Sequence, residues 1–134
     1  MSKIVQSSGK RKRAIARATI KPGKGVVRVN HILLSNYQPR YAQMKIAEPI
    51  LLAEGVVKDF NIDVTISGGG VTSQADAARL AVARGLAEFA GGDKLKNIYL
   101  NYDRQLLVAD VRVKETSKPN SHGKARAKRQ KSYR

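Results

Sequence analysis

The strongest constraint on the fold is the way that acidic residues are distributed along the 134-residue chain. Glu48 is the first acid and Glu115 is the last, so both ends of the chain carry uncompensated positive charge. Eleven basic residues precede Glu48 and seven follow Glu115, whereas the stretch between holds eight basic and ten acidic residues. Self-repulsion at a net charge of +16 favours a polyanionic partner. Charge used only for solubility would mix both signs.

The residues after Glu115 show this charge imbalance most clearly. Residues 116–134 contain no acid and almost no apolar side chain, so they cannot offset their own ordering entropy by burial. We therefore predict a globular nucleic-acid-binding domain over 1–115 and an extended basic tail over 116–134 that is disordered until it binds nucleic acid. Neither end has the basic amphipathic helix of a membrane-surface protein, so nucleic acid is the expected polyanion.

The residues that several classes of protein function require are absent from this chain. The chain has no cysteine and two histidines, which excludes disulfides and thiolate zinc sites, argues against a metal cluster and suits a reducing cytosol. The longest purely apolar stretch, Ile50 to Ala53, is too short to cross a bilayer, and the N-terminus is not a secretory signal. No catalytic motif stands out. We expect no enzyme, cofactor, metal or small-molecule substrate.

Periodicity predicts alternating strands and helices. Residues 3–34 have strand character, with a β-hairpin around the turn Pro22-Gly23-Lys24-Gly25. A helix is predicted over Gln43–Val57, with Pro49 kinking it or beginning its second half. Alternating Ile62, Val64 and Ile66 predict a strand that runs into Gly68-Gly69-Gly70.

Two further helices are predicted after the glycines. Val71–Ala90 has a stripe of small apolar residues, so it should pack very close to the sheet, with Ser73 as N-cap and Gly91-Gly92 at its end. A shorter helix should span Asp93–Tyr102.

The candidate RNA-binding residues fall into three groups. The basic run continues onto a strand, which favours a binding surface over a solvated loop. The glycine turn either lies against a phosphodiester or is a tight turn beneath a closely packed helix, and the sequence does not separate these two interpretations. The third group lies in the tail. The candidates are Lys10, Arg11, Lys12, Arg13, Arg17, Gly68, Gly69, Gly70, Lys124, Arg126, Lys128, Arg129 and Lys131.

Three segments carry a family resemblance. SGKRKRAIARATIKPGKGVVRVN, GGGVTSQADAARLAVARGL and ARAKRQKSYR together resemble the family of the ninth protein of the small ribosomal subunit. The middle segment is the most specific, and the match spans nearly the whole chain. The ending QKSYR resembles the archaeal and eukaryotic branch.

This resemblance implies an α+β fold with a sheet of about four strands and helices packed on one side. That fold is similar to the second domain of the fifth small-subunit ribosomal protein. The implied location is the cytoplasm, in the head of the small subunit, bound to ribosomal RNA and neighbouring small-subunit proteins.

The resemblance also assigns a role to the tail. It implies that the tail reaches the peptidyl site, where Arg134 contacts the anticodon stem-loop of tRNA and Tyr133 stacks on a nucleotide or wedges against RNA. Ser117 to Arg134 could extend to roughly 60 Å, so distance is no obstacle.

Three other functions compete with this interpretation. The protein subunit of the tRNA-processing ribozyme has a similar size and charge but needs an arginine-rich helix, and the long helix here offers Arg79 and Arg84 among alanines. A small phosphotransferase lacks the required lysine and carboxylate pair. A DNA-packaging protein does not need a glycine-turn core with its charge at both ends.

Overall fold

A computed structural model describes residues 3–126 and 132–133. Five strands and three helices lie within these residues, with short 3-10 turns at Leu34–Asn36 and Arg104–Leu106. In chain order the elements are β1 Val5–Arg11, β2 Ala14–Pro22, β3 Val27–Val29, β4 Ile32–Leu33, α1 Arg40–Ala53, β5 Phe60–Ser67, α2 Val71–Ala90 and α3 Asp93–Tyr102.

The strands form one mixed sheet with the order β1-β2-β5-β3-β4, and the three helices pack on one of its sides. The predicted α+β class is confirmed. The sheet has five strands where about four were expected, and the additional strand β4 is only two residues long. No helix or strand follows Leu106 within the described residues.

The predicted hairpin around the turn Pro22-Gly23-Lys24-Gly25 is wrong. β2 and β3 do not pair, because β5 lies between them, antiparallel to β2 and parallel to β3. The Pro22–Gly25 turn instead holds the start of β5. Gly23 N donates to Asp59 O, and the Asn61 side-chain oxygen accepts from Lys24 N and Val26 N, each at 2.9 Å. The real hairpin is β1–β2, with Lys12 at φ +53° in its turn.

Helix α1 begins and ends earlier than the predicted Gln43–Val57. It starts at Arg40, directly after Pro39, and runs to Ala53. Pro49 does not begin a second half, because it lies buried inside one helix. Its carbonyl accepts a 2.7 Å hydrogen bond from the hydroxyl of Tyr99, which adds a buried polar contact between α1 and α3.

The predicted bounds of α2 and α3 are confirmed, and Gly91 ends α2 at φ +73°. The predicted N-cap is wrong, because α2 begins at Val71 with Gly70 at the cap and Ser73 lies inside the first turn. Gly68 and Gly69, at φ +75° and +68°, turn the chain from β5 into α2, and no side chain caps the helix because the cap residue is a glycine.

The core lies between the sheet and α2, and it is mainly Val, Ile, Leu and Ala. As predicted from its small residues, α2 lies very close to β1. A Cβ added to Gly9 would lie 2.7 Å from the backbone nitrogen of Ala81, and Ser7 Oγ donates to Ala81 O at 2.7 Å. In the part of the chain that the structure describes, no helix has the length and apolar character of a membrane span.

Candidate nucleic-acid interface

The side of the sheet without helices is a polar surface, which we call the open face. Strand alternation places one row of side chains on this face and the next row toward the helices. Ser8, Arg17 and Thr65 are in register on three adjacent strands, and all three are exposed. A second row of exposed residues, Lys10, Ile15 and Ser67, lies next to them.

Hydroxyl groups and cations dominate the open face. A shallow depression of about 470 Å³ lies between the first strands and β5, lined in part by Gln6, Ser8, Arg17 and Thr65. Asp63 is the single acid in the five strands, and it lies 3.1 Å from Lys21 Nζ. A surface of cations and hydroxyls can hydrogen-bond to phosphate and sugar oxygens.

The four basic residues of the run do not point the same way. Lys10 lies on the open face, while Lys12 and Arg13 are exposed at the β1–β2 turn. None of these three forms an ion pair with another described residue. Arg11 instead faces the helices, and its side chain is 20% exposed. The structure therefore separates Arg11 from its neighbours in the run.

The glycine turn lies beside the β1–β2 turn. A Cβ on Gly68 would come within 2.6 Å of the carbonyl oxygen of Arg13, and one on Gly69 within 2.9 Å of Ala14 N. Tight packing thus accounts for these two glycines. Gly70 has open space around it and precedes the first turn of α2, so the start of this helix lies near the exposed Lys12–Arg13 turn. Positive side chains and a helix N-terminus both favour an anion.

Residues 107–115, which we call the C-terminal extension, follow the last helical turn, and side chains hold their beginning against the rest of the domain. Arg84 donates to the carbonyl of Leu107 and to that of Ser8, each at 3.1 Å. Asp110 lies 3.3 Å from Arg11 Nη1. The backbone N–H and the guanidinium of Arg112 hydrogen-bond to Asp110 and lower the pKa of its carboxyl group. The stabilisation from the Asp110 contacts is fully present above the ordinary pKa of a carboxyl group, and it is lost as the pH falls through the lowered pKa of Asp110.

The tail candidates are only partly described. Lys124 is exposed, and Arg126 forms an ion pair with Glu115, the last acid in the chain. Ser117 Oγ donates to Gly123 O at 2.8 Å, which closes a loop at the start of the tail. Tyr133 is exposed. Lys128, Arg129, Lys131 and Arg134 lie outside the described residues.

Sequence reasoning missed a cluster of ion pairs on the helix side. Arg79 Nε lies 2.6 Å from Glu48, and its Nη2 lies 3.2 Å from Asp103. Lys45 Nζ lies 2.7 Å from Asp76. These charges border a cavity of about 410 Å³ and compensate one another. The signal that was available for Glu48, Asp76, Arg79 and Asp103 is the near-neutral middle of the chain, whereas Lys45 lies in the basic N-terminal part and had no such signal.

The fold and the open face together define a small basic protein with a surface suited to a polyanion. The model of the ribosomal protein S9/S16 family matches residues 9–134. A small ribosomal subunit protein uS9 from Methanothrix thermoacetophila is 52% identical over 132 residues, covering 98% of this chain and 99% of the relative. Proteins of the same name from Methanococcus maripaludis and Methanococcus vannielii are each 47% identical over 133 residues, with the same coverage.

This chain belongs to the ribosomal protein S9/S16 family. The relatives come from archaea, so the predicted resemblance to the archaeal and eukaryotic branch is confirmed. Membership of this family favours the ribosomal interpretation over the ribozyme subunit, the phosphotransferase and the DNA-packaging protein.

Proposed function

We propose that this protein is a structural constituent of the small ribosomal subunit. Its domain, residues 1–115, binds ribosomal RNA in the subunit head, beside other small-subunit proteins. Its tail, residues 116–134, reaches the peptidyl site and contacts tRNA. The observation that carries the proposal is the near-full-length family match, and the open face and the β1–β2 turn supply a suitable RNA surface.

The Lys10–Ser67 row lies at the end of the open face that is next to the glycine turn, so the two can act together. Lys10 and Ser67 lie in one row, and Gly68 begins directly after Ser67. An RNA backbone along this end meets cations from the hairpin and the start of α2 within a short distance. Most of these contacts are to phosphate and sugar, so they position the protein and do not read sequence.

Association with the subunit is tested most directly by sedimentation. We expect the tagged protein to move with the small subunit through a sucrose gradient at physiological salt. A protein that stays at the top of the gradient, or that moves with the large subunit, contradicts the proposal.

Neutralising cations on this RNA surface should flatten the salt dependence of RNA binding. Replacing Lys10, Arg13 and Arg17 by glutamine should reduce the magnitude of the slope of log K against log salt by roughly 2 to 3, since each phosphate contact contributes about 0.7 to 0.9. The measurement is a titration of a small-subunit RNA fragment at several salt concentrations.

A second triple variant controls for net charge. Lys58, Lys94 and Lys96 are exposed, and they lie before β5 and on α3, away from the glycine end of the sheet. Replacing these three by glutamine removes the same charge and should leave the slope nearly unchanged. Equal flattening in both variants would show that net charge, and not this surface, controls binding.

A further inference from the structure

Strand β1 has two faces with different partners. Val5 and Gly9 are buried toward α2, and Ser7 donates a hydrogen bond to the backbone of α2. Arg11 is the next residue on this face. Because side chains alternate along a strand, Arg11 points toward the helices while Lys10 points to the open face.

Arg11 contacts the beginning of the C-terminal extension. Its Nη1 lies 3.3 Å from the Asp110 carboxylate and donates to the carbonyl of Arg112 at 3.3 Å. Asp110 is 13% exposed, and Asp76 on α2 lies 4.0 Å from Arg11 Nε. Two of the three guanidinium nitrogens of Arg11, Nε and Nη1, therefore already face partners within the protein.

Arg84 is a second link to the same segment. It joins the carbonyl of Leu107 to that of Ser8 on β1. Two guanidinium groups therefore hold the extension at Leu107 and at Asp110–Arg112. Residues 109–116 make no backbone–backbone hydrogen bond to another described residue, so these side-chain contacts fix the path of the segment.

We propose that Arg11, together with Arg84, is a positioning residue that sets the direction in which the chain runs after Arg112. Arg11 takes no part in RNA contact, which is left to Lys10, Lys12 and Arg13. A planar guanidinium suits this role because it can bind a carboxylate and a carbonyl at the same time. Releasing residues 108–112 would lengthen the flexible connection between the domain and the tail. A longer connection lowers the effective concentration of the tail at its target. The role in aiming the tail rests on the proposed function.

A distance measurement tests the positioning directly. The chain has no native cysteine, so spin labels at Lys94→Cys and Val113→Cys are the only thiol-linked probes. Both positions are exposed. In the free full-length protein we expect a narrow distribution of label-to-label distances. Arg11→Gln should broaden it at least twofold, and Lys10→Gln, which removes the same charge from the adjacent residue, should leave it unchanged.

In RNA titrations the two variants should show the opposite pattern to that in the distance measurement. Lys10→Gln should flatten the salt slope by somewhat less than one unit, and Arg11→Gln should leave the slope unchanged. The reverse pattern, with a flatter slope and an unchanged distance distribution for Arg11→Gln, overturns the proposal. A parent protein without a salt-dependent slope would contradict the proposed function, while the distance result would still decide the positioning role.

A variant outside β1 controls for the possibility that Arg11→Gln disturbs the folding of that strand. Asp110→Asn removes the carboxylate that faces Arg11 and leaves β1 intact. It should broaden the distance distribution, and the double variant should broaden it no further than Arg11→Gln alone, because Arg11→Gln also removes the contact with the Arg112 carbonyl. Additive broadening would show that the two residues act independently, and it would overturn the proposal. Arg112 also binds Asp110, but it belongs to the same segment and cannot anchor that segment to the domain.

Discussion

Replacing Gly9 by alanine is expected to destabilise the protein by about 3 kcal/mol or more, at the upper end of overpacking costs. An alanine Cβ at this position would meet the carbonyl oxygen of Ala77 and lie 2.7 Å from Ala81 N. Both atoms belong to the backbone of α2, so the whole helix must move away from β1. For a domain of this size the loss corresponds to roughly 10–15 °C in melting temperature, measured by calorimetry or circular dichroism.

Gly55 provides the matched control. It has no atom within 4 Å of an added Cβ, and its φ lies outside the left-handed region. Gly55→Ala should leave the free energy of unfolding within about 0.5 kcal/mol of the parent, as for surface changes generally. If Gly9→Ala melts like Gly55→Ala, the close approach of α2 to β1 does not contribute to stability.

The helices after the glycines could be predicted because their signals are local. Gly91 has the positive φ that ends a helix, and small residues at Ala77 and Ala81 match the close approach at Gly9. The cap of α2 could not be predicted from Ser73, because the turn at Gly68 and Gly69 depends on contacts with Arg13 and Ala14 from another part of the chain.

The sheet order depends on distant residues. A turn such as Pro22–Gly25 favours a hairpin by local rules. The structure inserts β5 between the two strands, and the insertion is stabilised by Asn61, whose side chain bonds the backbone of Lys24 and Val26. No residue near the turn indicates that the pairing strand lies more than thirty residues away in the sequence. Strand pairing of this kind is set by the whole sheet.

In the candidate site, too, one feature could be predicted from local sequence and another could not. Alternation along β1 is a local signal, and it separates Arg11 from Lys10 once the strand is known. The partner of Arg11 is not a local signal, because Asp110 lies near the other end of the sequence. A basic run therefore indicates an RNA-binding region, but which of its cations face the RNA depends on the fold.

Deleting Arg134 is expected to weaken binding of tRNA at the peptidyl site by roughly tenfold to a hundredfold. One charged hydrogen-bonded contact contributes about 1.5–3 kcal/mol, and each 1.4 kcal/mol corresponds to a factor of ten. The guanidinium of an arginine can bind a phosphate in a bidentate manner, whereas lysine would supply only the charge. The measurement is equilibrium binding of tRNA to reconstituted small subunits that carry the deletion.

Two further variants separate the contact at Arg134 from general charge. Arg134→Gln keeps the chain length, so it should weaken tRNA binding as the deletion does. Lys124→Ala removes one charge from an exposed position near the start of the tail and should have a much smaller effect. Subunit assembly should survive in all three variants, because the domain and most tail cations remain. Equal tRNA affinity in the Arg134 deletion and the parent contradicts the tRNA contact. A block in assembly would mean that Arg134 serves the subunit's structure.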